Sequence, residues 1–438
     1  LLRAQGGYLI LNAVDILQDP SMWAQLKRTL RSRELVIQPS DNQQGSGAPV
    51  LTPEPIPLNI KVILLGTSDL YEFLHAADPD FSQIFKIKAD FDTTVPMTMD
   101  NLSAYVGVLV RIIREDGLLD MDRGAIEEAL QYSMRLAEKQ GRLTIRFSPL
   151  ADMLREATHH ARKDGSELIG AGHFSTAVHD TWERFNLLEE KLGDEIEHGT
   201  VRIVVAGSRP GQINALTVLA LGDYEFGVPA RISCTTAVGR SGVLSIDREV
   251  EMTGSTHDKG VQILHGFLQG RFAQKQALAL SATLCFEQMY ATVDGDSASA
   301  AELVAILASL AGLAIRQDLA MTGAVDQFGA ILPVGGLNQK IEGFYKICKR
   351  LGLTGTQGVV LPESNVKDLM LASAAVGAIR SGMFHLYPVA NIDEALSVMT
   401  GAPAGARDSR GQWKAGSANA RAADRLKSLY AAAQKCRD

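Results

Sequence analysis

The chain has 438 residues, enough for roughly two to four domains, and its 46% hydrophobic share can fill sizeable cores. A net charge of -7 without any lysine or arginine block gives a nucleic-acid surface no compositional support, and 6% aromatics argue against a base-stacking platform. No apolar stretch reaches the roughly 20 uncharged residues of a membrane span; the four scattered cysteines (Cys234, Cys285, Cys348, Cys436) read as reduced cytosolic thiols, and no HExxH supports a metal site.

The first residue is Leu rather than Met and runs straight into "GGYLILNAVDIL", so the sequence reads as a piece of a longer chain. That stretch predicts a buried strand, "PSMWAQLKRTLRSREL" an amphipathic helix and "IKVILLGTSDL" a second buried strand. Between helix and second strand, "QPSDNQQGSGAPVLTPEPIPL" reads as a loop or hairpin tip. Strand-helix-strand order with near-continuous apolar strands predicts a parallel sheet covered on both faces.

From about residue 101 to 192 the pattern is helical throughout, with four successive amphipathic segments separated by polar or glycine breaks. After the connector "GDEIEHGT", strands and helices mix. "VRIVVAG", "ARISCTTAVG", "GVLSID", "ALALSATLCFEQ", "DLAMTGAV", "GAILPVGG", "QGVVLP" and "MFHLYPVA" are strand-like, so a second α/β unit is expected. The tail after Thr400 begins as a Gly/Ala/Ser stretch and offers a helix from about Ser417.

Two junctions carry chemistry. In "TVDGDSASAAELVAILASLAGLAI" an extended run becomes a helix, with Leu303, Ile306, Leu307 and Leu310 at helical spacing. Ser299 and Glu302 fit a reciprocal capping box, which places Ser297 at or just ahead of the helix start. Free amides and the positive dipole end suit an oxyanion there, although a serine at such an end is also an ordinary cap. In "PVGGLNQKIEGFYKICKRLGL" the glycine pair turns a strand into a helix, with Asn338 near its start and an apolar stripe of Leu337, Ile341, Phe344, Cys348 and Leu351. Lys340 lies on that stripe, while Lys346 and Arg350 lie off it. Burial lowers a lysine pKa, which a lysine base requires, whereas a lysine at a stripe edge can also snorkel to water. As alternative bases, spacing leaves His257 and His265 open.

With both junctions located, the chain resembles the Lon protease family. "DGDSAS" is similar to the family's nucleophile motif, "PVGGLNQKIEGF" to its lysine motif, and "DLAMTGAVDQFGAILPVGG" to the stretch joining them. The resemblance covers roughly residues 201–400 and implies Ser297 as nucleophile and Lys340 as general base, with Thr322 beside the lysine. Asp296 would flank the dyad and Asp294 stands where some relatives of the family have Glu; both also suit helix-dipole partners. The N-terminal part resembles the family's AAA+ module less closely. Asn12 and Ala13 replace two acids at a Walker B strand end, Thr67 or Ser68 fills the sensor position, only Lys86 and Lys88 stand near the place of an arginine finger, and no GxxxxGK[ST] occurs.

The resulting expectation is an α/β multidomain chain: a partial AAA+-like α/β domain (1–98), a helical lid-like subdomain (99–196), a Lon-type α/β protease domain (197–402) and a tail (403–438). The resemblance implies a cytoplasmic, homohexameric serine endopeptidase whose chambered active sites take unfolded polypeptides, with "REVEMTG" as a strand edge for the substrate. Peptide hydrolysis is expected to need no cofactor. The AAA+-like module is expected not to be driven by ATP hydrolysis in this chain, with binding of ATP and magnesium left open; the alternatives are a module completed by an upstream phosphate loop and a non-catalytic assembly protein.

Overall fold

The computed structural model describes residues 1–37, 53–222 and 224–435, so most of the predicted hairpin tip, together with Cys436, lies outside the described residues. The chain divides into two units, Leu1–Asp92 and Thr93–Asp438.

In the first unit, strands β1 (Tyr8–Asn12) and β2 (Lys61–Leu65) pair in parallel with Ile10 opposite Ile63. Helix α1 (Pro20–Ser32), capped by Asp19 and started by proline, and helix α2 (Ser68–Ala77), capped by Thr67, close a small core of Trp23, Leu26, Leu74 and Phe81. The strands were expected to be buried on both faces. Instead Tyr8, Ile10, Ile63 and Leu65 share one face and are exposed, because helices cover only the other side.

The second unit begins with helices α3 (Met99–Glu115), α4 (Arg123–Ala137), α5 (Phe147–Lys163), α6 (Ala171–Phe185) and α7 (Leu187–Glu197), the last two divided at Asn186 where one helix was expected. Thr98 and Asp122 cap α3 and α4. Their apolar stripes meet in a core of Tyr105, Leu109, Leu150, Leu154 and Phe174. The buried Tyr105 hydroxyl is satisfied by Ser133 at 2.6 Å and the Thr144 carbonyl at 2.9 Å.

The rest of the second unit is built on a seven-stranded sheet. Its strands are β3 (Gln212–Leu221), β4 (Tyr224–Val238), β5 (Gly242–Ser245), β6 (Leu280–Glu287), β7 (Leu319–Met321), β8 (Gly358–Pro362) and β9 (His385–Val389), in the order β5-β6-β4-β3-β7-β8-β9. The expected strand at "VRIVVAG" joins no ladder: Ile203 and Val205 are buried, but this segment is held by the Asn214 side chain on the Val204 carbonyl. "GAILPVGG" contributes only the short strand Ile331–Leu332, paired with Ala324–Val325 off the main sheet.

Leu319 and Met321 of β7 face one core and Ala320 the other, and Val360 alternates likewise with Val359 and Leu361 on β8. Burial on both faces explains the continuous apolar runs. One face carries α8 (Ser255–Phe272), α9 (Ser299–Ala311), α11 (Ile392–Thr400) and the tail helix α12 (Ala418–Lys435), while α10 (Leu337–Leu351) lies on the other. The tail helix thus packs within its own chain, with Leu426 and Leu429 buried in the core around α9.

Helix α9 is buried at every position except Ser309, which sequence periodicity alone would not give a surface helix. Five of its side chains, Leu303, Val304, Ile306, Leu307 and Leu310, are each worth about 1.5–3 kcal/mol of burial. Helix α10 approaches β4 backbone to backbone. A Cβ on Gly227 would lie 2.1 Å from the Gln339 carbonyl oxygen, and one on Gly343 would lie 1.9 Å from the Gly227 oxygen.

Candidate active site

Between β6 and α9 the chain passes through a bridge at Val293, whose amide donates to Met252 O and whose carbonyl accepts from Gly254 N, both at 2.9 Å. The expected substrate edge at 248–254 is therefore mostly occupied otherwise: it starts inside the helical turn Ile246–Glu249, and Thr253 is already paired to Val293. Asp294 follows, and its carboxylate accepts from Gly295 N at 2.8 Å and His257 N at 3.4 Å, so it caps the start of α8. The Gly295 amide, first among several donors, holds this carboxyl below the usual range. A Cβ at 254 would sit 2.2 Å from the Asp294 carboxyl carbon, so any larger residue there would push the carboxylate off its capping position. Gly295 then turns the chain with φ +90°.

Ser297 is half-buried, two residues ahead of α9. Its carbonyl accepts from Gly323 N at 2.8 Å and from the Thr322 hydroxyl at 3.2 Å. The amides of Asp296, Ser297 and Ala298 donate to no acceptor among the described residues. The capping box expected from Ser299 and Glu302 does not form. Ser299 is the first helical residue, and its hydroxyl accepts from Val325 N at 3.1 Å across the core. Glu302 is turned inward, 1% exposed, with both carboxylate oxygens lacking a hydrogen-bond partner. A helix that is apolar all round buries any acid placed in its interior, and this was the signal that could have identified Glu302.

Lys340 comes from the opposite side of the sheet. Gly336, at φ +64°, starts α10, and the fourth helical residue is the lysine, 3% exposed. Its Nζ donates to Thr322 Oγ1 at 3.3 Å. Thr322 follows Met321 at the end of β7, and strand alternation turns its fully buried side chain toward α10. One hydroxyl thus links the amine to the backbone of the serine. No hydrogen bond joins Lys340 to the Ser297 hydroxyl among the described residues; such contacts are often long in free enzymes and tighten on substrate. Burial lowers Lys340 from its ordinary value to about 8, while the charges of Asp296 and, more weakly, Glu138 oppose the shift.

The helical subdomain reaches this same helix. Arg135 of α4 forms a two-point pair with Glu342, at 2.7 and 2.6 Å, and donates to Met370 O at 2.9 Å. Glu342 also accepts from Ala372 N at 2.6 Å. Lys346 and Arg350, on the outer side of α10, pair with Glu189 and Asp194 of α7 at 2.7 and 2.8 Å. Asn338 does not cap α10; its Oδ1 accepts from Met370 N at 2.8 Å.

In the first unit, Asn12 uses its side chain to cap the short helix Ala13–Leu17, accepting from Val14 N at 3.0 Å, and Ala13 is buried. Thr67 Oγ1 accepts from Leu70 N at 3.3 Å, and Ser68 is the first residue of α2. No group of three His, Cys, Asp or Glu among the described residues could hold a metal ion. An amide engaged in capping and a buried alanine do not fit a centre that binds magnesium and orients an attacking water.

Three family models match the chain. Residues 1–92 match the LonB-like AAA domain, residues 120–184 the archaeal LonB AAA+ ATPase LID domain, and residues 290–400 the Lon protease (S16) C-terminal proteolytic domain. A Lon protease homolog of Escherichia coli is 33% identical over 400 residues, covering 91% of this chain and 67% of that protein. One from Haemophilus influenzae is 32% identical over 408 residues, covering 91% and 66%. The archaeal Lon protease of Thermococcus kodakarensis is 26% identical over 400 residues, covering 90% and 59%. The chain thus spans about two thirds of the length of these bacterial relatives.

Proposed function

Since the chain belongs to the Lon protease family, with AAA-like, lid and proteolytic domains, we propose that it is a serine endopeptidase working through a Ser297–Lys340 dyad. The observation that carries this reading is the buried Lys340 amine, 3.3 Å from a hydroxyl that itself holds the Ser297 carbonyl.

In the neutral form Lys340 takes the proton of the Ser297 hydroxyl as that oxygen attacks the scissile carbonyl. It returns the proton to the leaving amine as the acyl-enzyme forms, and water completes the cycle by the reverse path. Thr322 orients the amine by accepting from it. The unpaired amides of Asp296, Ser297 and Ala298 are the candidate donors to the developing oxyanion. Activity rises with pH through about 8, as the buried lysine loses its proton.

Asp294 acts on the shape of the nucleophile loop through α8, and Asp296 acts on Lys340 through its charge. We assign the AAA-like unit a role that does not depend on ATP hydrolysis by this chain, on the capping use of Asn12 and the burial of Ala13. Unfolded polypeptides as substrates, a homohexameric chamber and a cytoplasmic setting complete the proposal, and no cofactor takes part in peptide hydrolysis.

Cleavage of casein by this chain, with and without ATP, tests the reading against Ser297→Ala and Lys340→Ala. Degradation without ATP that both substitutions abolish is the expected result. A requirement for ATP in a longer form of the protein would restore a motor role, and activity surviving both substitutions would remove the dyad.

A further inference from the structure

The dyad uses the inner side of α10, and the outer side carries charges it does not need. Glu342, Lys346 and Arg350 recur every four residues, and at about 100° per residue they stand roughly 200–280° around the helix from Lys340. All three are paired with the helical subdomain: Glu342 with Arg135 of α4, Lys346 with Glu189 and Arg350 with Asp194 of α7. The helix that carries the amine is therefore held between the sheet and a row of ion pairs behind it.

These pairs are unequal. The Lys346 side chain is 52% exposed, and a pair of that kind contributes little. Arg350 lies about three turns away from Lys340. Arg135 and Glu342, by contrast, are 19% and 13% exposed and meet through two parallel N–H···O bonds. The Trp182 ring of α6 lies against the guanidinium, its centroid 4.8 Å away, which restricts the arginine further.

The same two side chains hold the segment that runs beside the start of α10. Glu342 accepts from Ala372 N at 2.6 Å, Arg135 donates to Met370 O at 2.9 Å, and Gln140, just past the end of α4, donates to Leu369 O at 2.7 Å. That segment in turn grips the approach to the helix. Asn365 exchanges two bonds with the backbone of Val334, at 2.9 and 3.1 Å, and Met370 N donates to Asn338 Oδ1 at 2.8 Å. Between these points lie Gly335 and Gly336, a pair with wide conformational freedom. Leu337 and Ile341 bury the helix in the core, but apolar contact is non-directional and leaves its exact placement to the polar contacts.

Placement decides the inner contact. Lys340 Nζ reaches Thr322 Oγ1 at 3.3 Å, so an outward shift of about 0.5 Å would take it beyond hydrogen-bonding reach. Resting on the dyad reading, we propose that Arg135 is a positioning residue for Lys340, holding the start of α10 through Glu342 so that the amine meets Thr322. Arg135 makes no hydrogen bond to Ser297 or Lys340 among the described residues, and acts on the chemistry only through the helix. The competence of the dyad thereby depends on how the helical subdomain rests on α10.

Arg135→Met removes the two-point pair and keeps an apolar stem against Trp182. The start of α10 then moves outward, water reaches the amine, and its pKa climbs from about 8 toward the ordinary 10.5. Asp296 and Glu138, the charges that bear on the amine, raise its pKa by less than burial lowers it, so the net movement is upward. The 438-residue chain is assayed with a fluorogenic peptide for kcat and KM along the pH–rate profile, and by thermal unfolding, as Arg135→Met, Arg135→Lys, Arg350→Met, Ser297→Ala and the parent. Arg135→Met is expected to lose about tenfold in kcat near pH 8 with KM within about twofold, and to carry its rising limb about one unit higher. Arg135→Lys, with one charged contact to Glu342, falls between it and the parent. Arg350→Met removes a pair from the same row at the far end of the helix and keeps the limb of the parent.

An unmoved limb in Arg135→Met overturns the positioning role whatever the loss in kcat, since a merely destabilised enzyme loses active molecules and leaves the basicity of the rest unchanged. An equal shift in Arg350→Met overturns it too, because it would report loosening of the whole helix. Should Arg135→Met fail to fold, Arg135→Lys decides alone: an upward limb supports the role and an unmoved one removes it. An inactive Ser297→Ala keeps the dyad standing through each of these results. Activity in Ser297→Ala, or a parent rate without a rising limb, would instead remove the dyad reading itself.

Discussion

Lys340→Met separates the chemistry of the lysine from its effect on stability. The amine is 3% exposed, and burial holds it at about 8 instead of 10.5. A difference of about 2.5 units at about 1.4 kcal/mol each gives a cost of about 3 kcal/mol for keeping it charged at pH 6.5. Methionine fills a similar volume without that charge, and its loss of the hydrogen bond to Thr322 costs about 1 kcal/mol. The variant is therefore expected to be inactive and more stable by about 2 kcal/mol at pH 6.5, or about 4 °C at roughly 2 °C per kcal/mol.

The sign follows from proton binding. Between about 8 and 10.5 the folded state binds fewer protons than the unfolded chain, so the parent gains stability as pH rises through that window. At pH 9.5 the remaining cost is about 1.4 kcal/mol, and the advantage of the variant falls close to zero. Calorimetric unfolding of both proteins at the two pH values measures this directly. A variant destabilised at pH 6.5, or a difference that does not change with pH, would refute the assignment of a buried, destabilised amine.

Two further substitutions read the same amine through the pH dependence of kcat. The Thr322 hydroxyl accepts from the ammonium and so favours the charged form, and Thr322→Val is expected to move the rising limb to lower pH while lowering kcat by about tenfold, both visible in a pH–rate profile. The Asp296 carboxylate opposes the lowering of Lys340, so Asp296→Asn is expected to move that limb below about 8; an upward movement would contradict the sign of the interaction.

The α/β class and the helical segments were legible because apolar spacing is local. The apolar spacing of 303–310 predicts α9, and the stripe on α10 places Lys340 on its inner face. What escaped the sequence depends on partners far away in it. The order β5-β6-β4-β3-β7-β8-β9 is set by which strands find one another across the core, and "VRIVVAG" has strand composition yet pairs with no strand. Ser299 and Glu302 satisfy a capping pattern, but the core around α9 claims both side chains, one for the Val325 amide and the other for the space facing His257. The aspartates looked alike at the serine. Asp294 was drawn away by the start of α8, which only the bridge between Val293 and Thr253 brings within reach. Exposure of Tyr8 and Ile10 was likewise hidden, since an apolar strand does not reveal whether both of its faces are covered.

Gly227 and Gly343 bring α10 onto β4 with no side chain between them. The height of the amine above the sheet is therefore determined by two hydrogens, each standing where any other residue would put carbon. Adding a methyl at either place would lift the helix as a lever lifts a load, and carry the end of the lysine away from the threonine. Here the tolerance of the dyad is set at a distance, along a seam that takes no part in the reaction.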